Sequence, residues 1–247
     1  MYKKVFLVAL LFITYCQAVP VETMEKDPEL VGGFFEGDMD LDLTRNGLVD
    51  TSKRWPNAIV RYKIDQVFDI DHTLYILKGM QIIESNSCIR FRHAADTATS
   101  YIQINGNPTG CNAFVGYTGF KQNVNLQPDN LDTGCFRIGS VMHELLHALG
   151  FHHQHSTFNR DDYVKVVWEN IEQGKEPFFQ KFNASTVTGF GVGYDYGSVM
   201  HYPSAAFSKN GEKTLIPLQG ENIEIGQRRE LSEKDIRKLN IMYKCNV

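Results

Sequence analysis

No segment of the 247-residue chain is apolar over the roughly 20 residues that crossing a bilayer requires; the leading run, Val5–Tyr15, is only eleven long. Internal repeats and low-complexity tracts are absent, and 43% hydrophobic with 22% charged residues excludes disorder, collagen-like repeats and coiled coil as the main class. No Cys-x-x-Cys pair occurs, which argues against a four-cysteine zinc knuckle. Net charge is missing from most of the chain. Residues 19–45 hold eight acids (Glu22, Glu25, Asp27, Glu29, Glu36, Asp38, Asp40, Asp42) against Lys26 and Arg45, and Lys3 and Lys4 precede them. With −4 overall, residues 46–247 come out neutral, and without a basic stripe nucleic acid is set aside as a partner.

What is present begins with an export signal. Lys3 and Lys4, the short apolar run and Cys16-Gln17-Ala18 form a signal peptide over residues 1–18, cleaved after Ala18. The protein is therefore expected to be secreted, with no membrane span. Removing Cys16 leaves Cys88, Cys111, Cys135 and Cys245, an even set that reads as two disulfides with three possible connectivities. Asn183-Ala184-Ser185 is a glycosylation candidate at Asn183. Residues 19–45 are acidic and turn-rich; they read as a solvated linker or as a pro-segment ending at Arg45, where a trypsin-like protease would cut.

From residue 46 onward one α+β domain is expected. Ile59–Ile64 reads as a strand, and Ile76, Leu77, Met80 and Ile83 give Thr73–Ser85 a helical period. Short strands are expected at Cys88–Arg92, Tyr101–Ile104, Ala113–Tyr117 and Asn123–Leu126, separated mostly by Gly- and Pro-bearing turns. Val141, Leu145, Leu146 and Leu149 mark a helix over Ile138–Leu149 that Gly150 ends, and Ser232–Asp235 resembles a capping box before a last helix.

Five of the eight histidines lie between positions 143 and 155. His143 and His147, four apart on the expected helix, project from one face towards a single ion, and Glu144 beside them can lean over a water. Zinc suits this set because it takes neutral nitrogens in a tetrahedron with one open position. His-Glu-x-x-His alone matches by chance in roughly one chain of this length in a hundred. The continuation makes coincidence negligible: Gly150 permits a turn, and His153, in register among His152, His153 and His155, returns a third imidazole. A second block, Tyr194–Tyr202, carries Met200 and Tyr202 in an aromatic turn.

Together these blocks resemble the astacin family of secreted zinc endopeptidases within the metzincins. The resemblance implies a two-lobed catalytic domain over residues 46–247, with a mixed five-stranded sheet, long helices and a horizontal active-site cleft. It implies one zinc per chain on His143, His147 and His153, Glu144 as catalytic glutamate, Met200 as the Met-turn methionine and Tyr202 as a switch tyrosine. It also implies the pairings Cys88–Cys245 and Cys111–Cys135, and a substrate strand at Asn112, Ala113 and Phe114. Phe35-Glu36-Gly37-Asp38 is similar to the family's latency motif, which makes Asp38 the switch and residues 19–45 the pro-segment. Two positions depart from the pattern. The glutamate that members carry after the third histidine is Gln154 here, and the following Arg-x-Asp-Arg-Asp is half kept in Thr157–Asp161. The function expected is a secreted monomeric zymogen that hydrolyses protein or peptide substrates. Its rivals are a silent zinc-binding module, another metzincin branch and a small-molecule amidase.

Overall fold

The computed structural model describes residues 27–41, 50–185, 187–220 and 222–246. The signal peptide expected over residues 1–18 and the cut expected after Arg45 lie outside the described residues.

The principal sheet has strands β1 (Met39–Asp40), β2 (Ile59–Ile64), β3 (Arg90–His93), β4 (Tyr101–Asn105), β5 (Cys111–Phe114) and β6 (Lys121–Leu126). Their order is β1-β5-β6-β4-β2-β3, and every pairing is parallel except β5 with β6. The sheet is thus mixed, with six strands rather than five. The sixth comes from the acidic segment, which adds itself to the edge of β5 because that edge offers unpaired amides and carbonyls to any extended chain. A small antiparallel pair, β7 (Val164–Val166) and β8 (Leu215–Pro217), lies in the second half of the chain.

Among the described residues, three α-helices complete the frame: α1 (Ile70–Ser85), α2 (Ile138–Ala148) and α3 (Glu233–Tyr243). Helix α1 starts three residues before the periodic stretch, because the Asp69 carboxylate accepts from the amide of His72 at 2.8 Å and caps it. Strand β3 begins two residues late: Cys88 is tied to Cys245, and Ile89 belongs to the turn after α1. Strand β5 starts two residues early and ends at Phe114; the left-handed Gly116 that follows instead donates to the carbonyl of His147 at 2.9 Å. Helix α3 opens on a full capping box between Ser232 and Asp235.

Two buried apolar clusters divide the interior. One joins the inner face of the sheet (Val60, Phe91, Ile102, Ile104, Val124) to α1, α2 and α3; the other gathers Val164, Phe179, Tyr194, Tyr202, Phe207 and Leu215. The disulfides are Cys88–Cys245 and Cys111–Cys135. Among the described residues, no helix is long and apolar enough to cross a membrane.

Candidate metal centre

Helix α2 is buried along its whole length from Gly139 to Ala148, so its polar side chains point into protein, and each needs a partner there. His143 and His147 each meet that need at Nδ1 with a backbone carbonyl. The Nδ1 of His143 lies 2.8 Å from the carbonyl of Val199, and the Nδ1 of His147 lies 2.7 Å from the carbonyl of Phe151. A carbonyl only accepts, so each Nδ1 carries the proton and each Nε2 presents a lone pair. Gly150, at φ 107°, makes the turn after the helix and brings His153 alongside.

The three Nε2 atoms converge. That of His143 is 3.0 Å from His147 and 3.3 Å from His153, close to the roughly 3.3 Å edge of a tetrahedron of nitrogens around zinc. Two facing lone pairs at such distances repel unless a cation lies between them. Asp38 closes the set: its Oδ2 is 3.2 Å from His143 Nε2, and its Oδ1 is 3.2 Å from His153 Nε2 and 3.7 Å from His147 Nε2. Oδ1 is buried and makes no well-directed hydrogen bond. Burial alone would lower the His153 imidazole, but the carboxylates of Asp38 and Glu36 outweigh it and hold it at about 9, so a metal there displaces its proton. Three imidazoles and an orphaned carboxylate oxygen within 4.8 Å of one another are then a donor set that fits Zn²⁺.

Glu144 is fully buried, and among the described residues neither of its oxygens has a hydrogen-bond partner. Burial first, then the negative charges of Asp38 and Glu29, push its carboxyl well above the usual range. Met200 sits in the larger apolar cluster, and its carbonyl accepts from the amide of Gln154 at 2.9 Å, joining the aromatic turn to the chain after His153. The ring of Tyr202 lies 4.7 Å from that of His153 and stacks on His155 at 3.8 Å. Its hydroxyl donates to the backbone carbonyl of Glu36 through a short hydrogen bond.

The acidic segment grips the centre at more points than Asp38. Glu36 places one carboxylate oxygen 2.7 Å from His153 Nδ1, and the other accepts from Ser156 Oγ at 2.7 Å. Gly37 between them has φ 95°, and a Cβ there would meet the carbonyl of Glu29 at 2.5 Å. Glu29 itself is held by Arg228, whose Nε and second guanidinium nitrogen lie 2.6 and 2.5 Å from one carboxylate oxygen. Burial alone would raise this carboxyl, but the adjacent guanidinium outweighs it and holds it at about 2. Asp27 accepts from Arg137 at 2.8 Å, and Phe35 packs edge-on against Phe178 and Phe182. Strand β1 covers Ala113 and Phe114 in parallel register, with Met39 opposite Ala113 and Asp40 opposite Phe114.

Sequence reasoning gave no role to Glu29, Arg228 or Ser156, weighed His155 only as a third ligand, and quoted Glu36 only as the variable place of a motif. For Glu29 and Glu36 the acid-rich composition was the one signal. It missed Lys238 too, a buried cation that donates to Gln154 Oε1 through a short hydrogen bond. Asn183 is exposed, its Oδ1 accepting from the amide of Ser185 at 3.0 Å.

The family model described as Astacin, a peptidase family, matches residues 47–244. Seminal metalloprotease 1 of Drosophila melanogaster is 47% identical over 226 residues, covering 89% of this chain and 90% of that one. Zinc metalloproteinase nas-4 of Caenorhabditis elegans is 35% identical over 232 residues, covering 89% and 72%. Among solved structures, the hatching enzyme zinc-protease High choriolytic enzyme 1 of Oryzias latipes (Medaka fish) superposes with a TM-score of 0.73 at 31% identity, over 80% of this chain and 97% of that one. A zinc-type donor set on this fold, together with these matches, establishes that the chain belongs to the astacin family and is a zinc metalloproteinase.

Proposed function

We propose that the protein is exported as a latent precursor and becomes an endopeptidase when its acidic segment is cut away after Arg45. The observation that carries this reading is the meeting of His143, His147 and His153 at their Nε2 atoms with Asp38 lodged against all three. One zinc on the three histidines would act as a Lewis acid towards the scissile carbonyl and make a water acidic near neutral pH. In latency Asp38, rather than water, would be the fourth donor.

Once the segment leaves, an extended peptide takes the edge of β5 at Asn112, Ala113 and Phe114 and pairs through its backbone. Glu144, with no competing hydrogen bond, accepts a proton from the attacking water as the new C–O bond forms. It then delivers that proton to the leaving amine as the C–N bond breaks. The Tyr202 hydroxyl already donates to a peptide carbonyl, that of Glu36, and would turn the same donor to the substrate oxygen as charge builds on it. Met200 supports the centre from the core. Gln154, a neutral acceptor already serving Lys238, gives the new amino terminus at Asn46 no charge partner at that position. The enzyme is read as a secreted monomer, glycosylated at Asn183 and activated by a trypsin-like protease.

Casein hydrolysis by the uncut chain, by the chain beginning at Asn46, and by that chain with Glu144→Ala tests the proposal, each with and without a chelator. Activity confined to the trimmed wild type and abolished by chelation is expected. A trimmed chain that binds zinc and cleaves no peptide would make it a silent binding module instead.

A further inference from the structure

The outer face of the principal sheet, opposite the buried Val60, Phe91, Ile102, Ile104 and Val124, carries an alignment that no stretch of sequence contains. Arg92 on β3 pairs with Arg61 on β2, Arg61 falls level with Tyr101 on β4, and Tyr101 pairs with Lys121 on β6. Side chains in register across neighbouring strands leave the same face, so these four form a straight row about 14 Å long. Arg61, Arg92 and Lys121 are exposed. A second row beside it runs Lys63, Gln103 and Asn123. Lys63 joins the two by lying over the Tyr101 ring at 5.3 Å.

Like charges directly opposite each other weaken a strand pair, and Arg61 faces Arg92. The carboxylates nearby only partly offset this. Glu84 accepts from Arg92 at 3.2 Å, and the fully exposed Asp96 accepts from Lys63 at 3.2 Å. Among the described residues, Arg61 and Lys121 have no carboxylate within 4 Å. A face that keeps cations in a line, with an aromatic ring and amides between them, matches a linear chain that bears regular negative charges and hydroxyls. The two disulfides fit an oxidising extracellular setting, where sulfated polysaccharides supply that chemistry.

We propose that this outer sheet face is a binding surface for a linear sulfated polysaccharide, with Arg92, Arg61 and Lys121 on sulfates, Tyr101 under a sugar ring, and Gln103 and Asn123 on hydroxyls. The surface lies on the opposite side of the sheet from α2 and its histidines, so it would tether the protease without occupying the centre. It stands independently of the proposed mechanism, because binding is read on purified protein.

The test is heparin binding by the full chain over a salt series. R61Q/R92Q/K121Q is expected to weaken binding at least tenfold at 0.1 M NaCl and to lower the slope of log K against log salt by about one for each cation removed. K165Q/K181Q, on and near the small sheet, is expected to bind like wild type. The triple variant should keep the Tm and the circular dichroism of the wild-type chain, which shows the fold intact. If the triple variant fails to fold, R61Q and K121Q alone should each weaken binding about threefold. Wild-type chain that ignores heparin, variants that bind it unchanged, or a DNA duplex bound as tightly through the same residues would overturn the proposal.

Discussion

The role proposed for Glu144 as a base requires that nothing else claim its oxygens, and among the described residues nothing does. Replacing it by glutamine in the trimmed chain keeps the shape and removes the proton acceptor. Peptide hydrolysis should fall about 10²- to 10⁴-fold while zinc, measured by atomic absorption, stays at one per chain. At Gly37 the backbone rather than chemistry is decisive. Alanine there must adopt φ 95° and press on the Glu29 carbonyl, a strain of order 1–3 kcal/mol. The uncut Gly37→Ala chain should therefore hydrolyse casein measurably where the wild type does not. Glu29 adds a pH dependence. Released, it takes a proton near pH 4.5, and docked on Arg228 only near 2. Its support for the docked segment is thus complete above pH 4.5, is of order 3 kcal/mol, and is lost as pH falls from 4.5 towards 2. Tryptic cutting of the segment, sampled after brief incubation across that window, should accelerate in wild type and be already fast, and flatter with pH, in Glu29→Gln.

The elements divide into those that local chemistry dictates and those that need a distant partner. Helix α3 belongs to the first kind: Ser232 and Asp235 cap it reciprocally, and Asp235 also accepts from Ser198 Oγ at 2.6 Å and the Val199 amide at 2.9 Å. The cap therefore holds the turn before Met200 as well as the helix. Ser232→Ala should cost about 1 kcal/mol, read as a fall of about 2–4 °C in Tm. Helix α2 was equally legible, because its histidine spacing and apolar positions share one period. Strand β1 was not, since two residues carry no period of their own and pair only because β5 leaves an edge. Strand β3 slipped for a related reason: Cys88 answers to Cys245 rather than to its neighbours.

Across the whole molecule, what the sequence hid is what lies far apart along it. The histidine motif is compact, so the three imidazoles that meet could be named in advance. Glu29 and Arg228 are 199 positions apart, and nothing in either neighbourhood points to the other. The cysteine count predicted two bridges but left their pairing to family resemblance. Cys88–Cys245 closes a span of 157 residues and pins the end of α3 beside β3. Replacing both cysteines by alanine should cost about 2–5 kcal/mol, with Tm falling accordingly by calorimetry.

The acidic segment holds on at two separate places, Asp38 with Glu36 at the histidines and Glu29 with Asp27 at the arginines. The two grips share one short stretch, so each keeps the other near its site, and the continuous chain beyond them adds a tether to the domain that sets an effective concentration in the millimolar range. The proposed cut after Arg45 would break none of these contacts. It would remove only that tether and leave a free peptide inhibitor, so freshly cut enzyme should stay partly silent when concentrated and awaken on dilution.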